Sequence, residues 1–160
     1  IELKAHFDRP TTFLRLLHYP KRKTDTPLNY YGSAPHVDFG CITLLMQDQR
    51  GLQVKGPTGD WLHVPPVPNT FVMNVGTMLS RWSNGILRST AHRVINDSSR
   101  SRFSVAFFYD PHMNTEIVPL KSCVSKDHPL CFEPLVYRDF VRDQLRATYI
   151  HHQLRDGQDT

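Results

Sequence analysis

His36 and Asp38 flank Val37, and an i, i+2 pair on an extended segment turns both side chains to one face, so an imidazole and a carboxylate could grip the same ion. Alone, the triplet says little, because His-x-Asp arises often by chance and a solitary histidine usually fills a structural role. His92 strengthens it. It stands at the middle of the run Arg88-Ser89-Thr90-Ala91-His92-Arg93-Val94, the next strong candidate strand to contain a histidine. Two histidines and one carboxylate form the facial triad of non-haem Fe(II) sites, which leaves three adjacent coordination positions open.

A second constellation follows ten residues later. Arg102 and Ser104 flank Phe103, so a guanidinium and a hydroxyl share one face of a strand while Phe103 and Val105 turn to the other. Aimed inward among Val, Ala and Phe, that pair needs an anion, since a guanidinium offers a planar fork to a carboxylate and is costly to bury unpaired. The competing reading is an arginine at a strand entrance facing solvent.

These residues must be carried by strands. Short runs rich in β-branched and aromatic residues cover 12–19, 36–39, 42–47, 52–55, 61–64, 70–75, 89–95, 102–110 and 116–120. Turn-forming stretches separate them, among them Gly32-Ser33-Ala34-Pro35, Gly56-Pro57-Thr58-Gly59-Asp60 and Asn96-Asp97-Ser98-Ser99. That alternation is the habit of an all-β sandwich or barrel, and no long period repeats. After Pro134 the period changes: Tyr137, Phe140, Val141 and Leu145 fall at helical spacing, predicting an amphipathic C-terminal helix with Pro134 in its first turn, laid over one face of the β core.

With 160 residues, 39% of them hydrophobic, the chain can close one core and is read as a single domain, 1–160. It lacks a charged-then-apolar signal segment and any run of 18 apolar residues, so no membrane partner is expected. Cys41, Cys123 and Cys131 are odd in number and lack CxxC spacing, which favours a reduced, cytoplasmic setting. A net charge of +4 raises nucleic acid as a partner. The charge is poorly clustered, in Lys21-Arg22-Lys23 and in Arg138, Arg142 and Arg146, so solvated faces are expected and nucleic-acid binding is not.

Taken together, the motifs resemble the C-terminal half of the isopenicillin N synthase-like family of 2-oxoglutarate- and Fe(II)-dependent oxygenases. The similarity runs from Phe13-Leu14-Arg15-Leu16-Leu17-His18-Tyr19-Pro20 through His36-Val37-Asp38-Phe39-Gly40, Thr43-Leu44-Leu45, Gly51-Leu52-Gln53-Val54 and Trp61-Leu62-His63-Val64-Pro65-Pro66. It continues through Asn74-Val75-Gly76, Ser83-Asn84-Gly85, Ser89-Thr90-Ala91-His92-Arg93-Val94 and Arg102-Phe103-Ser104. The resemblance implies a mainly β, double-stranded β-helix (jelly-roll) fold. It assigns His36, Asp38 and His92 as catalytic metal ligands, Arg102 and Ser104 to the distal carboxylate of 2-oxoglutarate, and Tyr19 to the same co-substrate. The implied activity couples oxidative decarboxylation of 2-oxoglutarate, with dioxygen, to hydroxylation, desaturation or ring closure of a small organic substrate, ascorbate serving as reductant.

Two positions depart from the family pattern. Leu17 stands where asparagine is frequent, which removes a polar contact to the co-substrate, and Thr77 stands where aspartate often follows Asn-x-Gly, with an effect expected only on a turn. The family's helical N-terminal region is expected to be missing. Two other readings stay open: a relative that takes electrons from ascorbate or from its substrate instead of 2-oxoglutarate, and a metal-binding module without catalysis. The remaining histidines, His6, His18, His63, His112, His128, His151 and His152, are expected in surface or packing roles. Trp61, Trp82, Phe107, Phe108 and Cys41 are expected in the core.

Overall fold

Alternating apolar and polar residues build two antiparallel sheets that face each other across the site. The structure, a computed structural model, describes residues 3–23, 25–27 and 30–156, with side chains to residue 147. Its strands are β1 (Thr11–Tyr19), β2 (Ser33–His36), β3 (Ile42–Gln47), β4 (Leu52–Lys55), β5 (Trp61–His63) and β6 (Val72–Val75). A short helix α1 (Thr77–Trp82) precedes β7 (His92–Val94), β8 (Arg102–Asp110) and β9 (Glu116–Ile117), and β10 (Leu135–Val136) leads into helix α2 (Tyr137–Asp156). One sheet has the order β1-β8-β3-β6, the other β2-β7-β4-β5, and β9 pairs with β10 as a two-stranded ribbon. This is the expected jelly roll with its C-terminal helix.

Register decides what faces the interior. On β8, Arg102, Ser104, Ala106 and Asp110 are buried while Phe103 is exposed, the alternation expected of a half-buried strand. On β1 the inward set is Arg15, Leu17 and Tyr19, with Tyr19 opposite Arg102 and Arg15 opposite Ala106. Tyr19, Leu52 and Val94 close the barrel between the sheets. A second core, of Cys41, Met78, Trp82, Ile117 and Tyr137, ties α1, α2 and the β9 ribbon to the end of the barrel. Its centre is polar: buried Asp110 accepts from the Cys41 backbone N–H (2.6 Å) and from the Tyr137 hydroxyl (2.9 Å). Burial, with Asp110 alongside, pushes the Cys41 thiol up to about 12, so Cys41 packs as a neutral group.

Several expected boundaries move. The segment 36–39 is not a strand: β2 ends at His36, after a register irregularity, and the chain bends through Asp38 to Gly40. His92 opens β7 rather than lying at its middle. The last strand stops at Ile117, where Pro119 lacks a ladder donor. Pro134 precedes β10 instead of starting the helix, because Leu135 and Val136 first pair with Ile117 and Glu116. Leu145 is exposed, so the buried stripe of α2 is shorter than its sequence period suggests. Of the aromatics expected inside, Trp82 is buried, while Trp61, Phe107 and Phe108 are half-buried. The side chains of His151 and His152 lie outside the described residues. No helix among the described residues is long and apolar enough to cross a membrane.

Candidate active site

The pairing of β2 with β7 sets His36 directly across from His92, with ring centroids 4.3 Å apart. Asp38 reaches the same point from the bend after β2. Its Oδ1 lies 3.7 Å from His36 Nε2 and 3.6 Å from His92 Nε2, and the three ligand atoms all lie within 4.8 Å of one another. The i, i+2 pair is therefore brought to one point, but by a different local geometry. Strand alternation does not aim Asp38; the bend and its hydrogen bonds do.

Those bonds account for the orientation of each donor. The Nδ1 of His36 contacts the Ala34 carbonyl at 2.7 Å, and that of His92 the Thr90 carbonyl at 3.2 Å. A carbonyl only accepts, so Nδ1 carries the proton in both rings and Nε2 presents a bare lone pair to the common point. Asp38 Oδ2 accepts from Thr43 Oγ1 (2.6 Å) and Asn74 Nδ2 (2.8 Å), leaving Oδ1 toward the histidines. The Asp38 carbonyl accepts from the Thr77 N–H (2.9 Å) and from Thr77 Oγ1 (3.0 Å). Thr77 is thus more than a turn residue: it opens α1 and pins the backbone of the bend. Burial holds the His92 imidazole below its ordinary range, the nearby Asp38 carboxylate opposing this in part, so its neutral, ligating form persists into mild acid.

The ligand atoms edge a cavity of about 370 Å³ between the sheets, which Tyr19, Arg102 and Ser104 also line. Arg102 is fully buried. Its guanidinium donates to Gln47 Oε1 (2.9 Å), the Gln49 carbonyl (3.3 Å) and Ser104 Oγ (3.4 Å), and it stacks 4.9 Å from the Tyr19 ring centroid. All these partners are neutral, and no carboxylate among the described residues lies within ion-pair distance of it. Burial disfavours its charge, lowering its basicity, which Tyr19 and Asp48 oppose. A buried cation held by neutral groups at a cavity wall is able to receive an anion supplied from outside.

The donor set fits a ferrous ion: two neutral imidazoles and one carboxylate on one side, with the open cavity on the other. Cys41, close in sequence, is buried in the second core and takes no part.

Residues 10–111 match the sequence profile of the 2OG-Fe(II) oxygenase superfamily. The chain belongs to this family. Over 151 residues it is 35% identical to homoarginine-6-hydroxylase 2-ODD-233 of Oryza sativa subsp. japonica, covering 88% of the chain and 44% of that relative. It is 39% identical to clavatol oxidase claD of Penicillium crustosum over 144 residues, covering 88% of the chain and 42% of the relative. Among solved structures, a full-length Neurospora crassa protein in complex with alpha-KG and thymine superposes with a TM-score of 0.83 at 34% identity, covering 89% of this chain and 46% of that one. The chain spans less than half the length of these family members. Of the supports of Asp38, Thr43 and Asn74 carry no role in the sequence reading and Thr77 only an effect on a turn. Thr43 and Asn74 oppose each other in register on β3 and β6, a signal legible only once the strands are paired.

Proposed function

We propose that the chain is the catalytic core of an Fe(II)- and 2-oxoglutarate-dependent dioxygenase that oxidises a small organic substrate by hydroxylation, desaturation or ring closure. One arrangement carries this reading: the convergence of His36, Asp38 and His92 at the edge of a cavity whose wall presents the uncompensated guanidinium of Arg102. Ferrous iron, when bound, supplies the redox chemistry by which dioxygen and 2-oxoglutarate yield succinate and carbon dioxide while the substrate is oxidised.

The protein's part is position. His36, Asp38 and His92 would hold the ion from one side, and Thr43 and Asn74 keep Asp38 to a single free oxygen. Arg102 and Ser104 would receive the distal carboxylate of 2-oxoglutarate, with Tyr19 steadying the guanidinium through its ring face. Leu45, Leu52 and Val72 line the same space with apolar surface. The relatives' names and bound molecules, a homoarginine hydroxylase, a clavatol oxidase and a complex with thymine, support oxidation of small molecules but point to no common substrate.

The test is turnover of the chain with iron, ascorbate, dioxygen and 2-oxoglutarate, alone and with a panel of small metabolites, reading succinate by mass spectrometry. Succinate that depends on iron and is lost in His36→Ala is expected. Tight iron binding with no succinate under any condition would leave a metal-binding module and defeat the proposal.

A further inference from the structure

Two cations that line the cavity have no task in holding the metal or 2-oxoglutarate. Arg15 lies on β1 in the inward set with Leu17 and Tyr19, opposite buried Ala106 of β8. Arg88 lies in the irregular segment that leads into β7 of the other sheet, two and four residues before Thr90 and His92, which line the same cavity. Both are exposed, and neither makes a hydrogen bond or ion pair among the described residues. Arg9, Arg50 and Arg146 are exposed in the same way but lie away from this cavity, while Arg93 binds Gln53 and lies over Trp61, Arg22 binds the Thr26 carbonyl, and Arg142 pairs with Asp139.

We propose that Arg15 and Arg88 form the seat for an anionic end of the primary substrate, a small molecule bearing a carboxylate on an apolar body. This rests on the reading of the cavity as an oxygenase site, and it assigns the substrate class. The charged residues lining the cavity are three arginines and one aspartate. A ferrous ion and the 2-oxoglutarate dianion cancel each other, and Asp38 offsets one arginine, so an excess of two positive charges faces whatever enters last. A low-dielectric cleft lined by one sign of charge concentrates ligands of the other sign and discriminates against cations. Leu17, Val54, Val72 and Phe108 add apolar wall to the same cavity, which suits a hydrocarbon body rather than a sugar. A guanidinium fork matches a carboxylate with two parallel hydrogen bonds, and with no competing partner each arginine is available for one.

The experiment is calorimetric titration of the full chain, loaded with Mn(II) and 2-oxoglutarate under nitrogen. The ligands are a panel of triplets, each an aryl-alkyl or alkyl carboxylate, its primary amide, and the phosphate ester of the matching alcohol; 4-phenylbutanoate, 4-phenylbutanamide and 3-phenylpropyl phosphate form one triplet. At least one acid is expected to bind about ten-fold more tightly than its amide, about 1.4 kcal/mol. Arg15→Gln and Arg88→Gln should each lower that ratio and the double variant bring it to about one, while Arg15→Lys and Arg88→Lys keep most of it because the charge stays.

The seat is overturned if no acid outranks its amide, or if the preference survives in the double glutamine variant. It is overturned as a carboxylate seat if the phosphate esters bind more tightly than the acids. Succinate formation by the same preparation separates the two levels: succinate without acid preference removes only this seat. Its absence with iron and 2-oxoglutarate removes the oxygenase reading and the seat with it.

Discussion

At the scale of single residues, the site depends on which oxygen and which nitrogen are left free. Asp38 is the clearest case, because its Oδ2 is engaged by Thr43 and Asn74 and only Oδ1 faces the imidazoles. Thr43→Val removes one donor and lets the carboxylate rotate, and iron affinity is expected to fall roughly 10- to 100-fold, the usual cost of losing a group that orients a ligand. Competition with a fluorescent chelator measures it, and an unchanged affinity would show that Thr43 does not position Asp38. Arg102→Lys keeps the charge but loses the fork. Charge-assisted hydrogen bonds contribute about 1.5–3 kcal/mol each, so the 2-oxoglutarate KM should rise by about 10-fold or more while the iron requirement moves little. Equal changes in both would contradict the division of labour between the two walls. The residues proposed to hold metal and anion could be picked out in the sequence because such sites demand particular donors. Their supports could not, since a threonine or asparagine has many uses until its neighbours across the sheet are known.

At the scale of elements, strands were readable where turn signals bracket them. Segments 42–47, 52–55 and 102–110 match β3, β4 and β8 residue for residue, because turn-forming or polar residues bound each of these apolar-rich runs. The bend after β2 and the helix α1 escaped. Both are fixed by close approach between distant backbones, which leaves no periodic mark: the Asp38 and Gly40 carbonyls accept from the backbone N–H groups of Thr77 and Met78. Gly76 makes this contact possible, since a Cβ there would overlap the carbonyl of Gly40. Gly76→Ala is therefore expected to destabilise the fold by about 1–3 kcal/mol, as overpacking typically does, and to weaken iron binding by displacing the bend. Urea denaturation of the metal-free chain gives the first quantity and chelator competition the second. A variant with wild-type stability would mean that the two segments part without cost.

At the scale of the whole molecule, the two sheets hold different ends of the site. Four-stranded sheet β2-β7-β4-β5 carries His36 and His92, and sheet β1-β8-β3-β6 carries Tyr19, Arg102 and Ser104. The outer face of the second sheet leaves Leu14, Leu16, Met46, Met73 and Phe103 exposed, an apolar face that favours self-association of the chain at high concentration. Light scattering across a dilution series checks this, and replacing Leu16 with serine should reduce it. The division of the site between layers has another consequence. Metal alone ties the layers only through Asp38, whose carboxylate hangs on Thr43 and Asn74 of the second sheet, and a dicarboxylate alone engages that second sheet, but a dicarboxylate that chelates the metal while reaching Arg102 would add a further rivet between the layers. Ligands coupled in this way stabilise more as a pair than as individuals, so the melting temperature with Mn(II) and 2-oxoglutarate together should exceed the sum of their separate increments. Heat resistance would then report whether the barrel has been fastened shut.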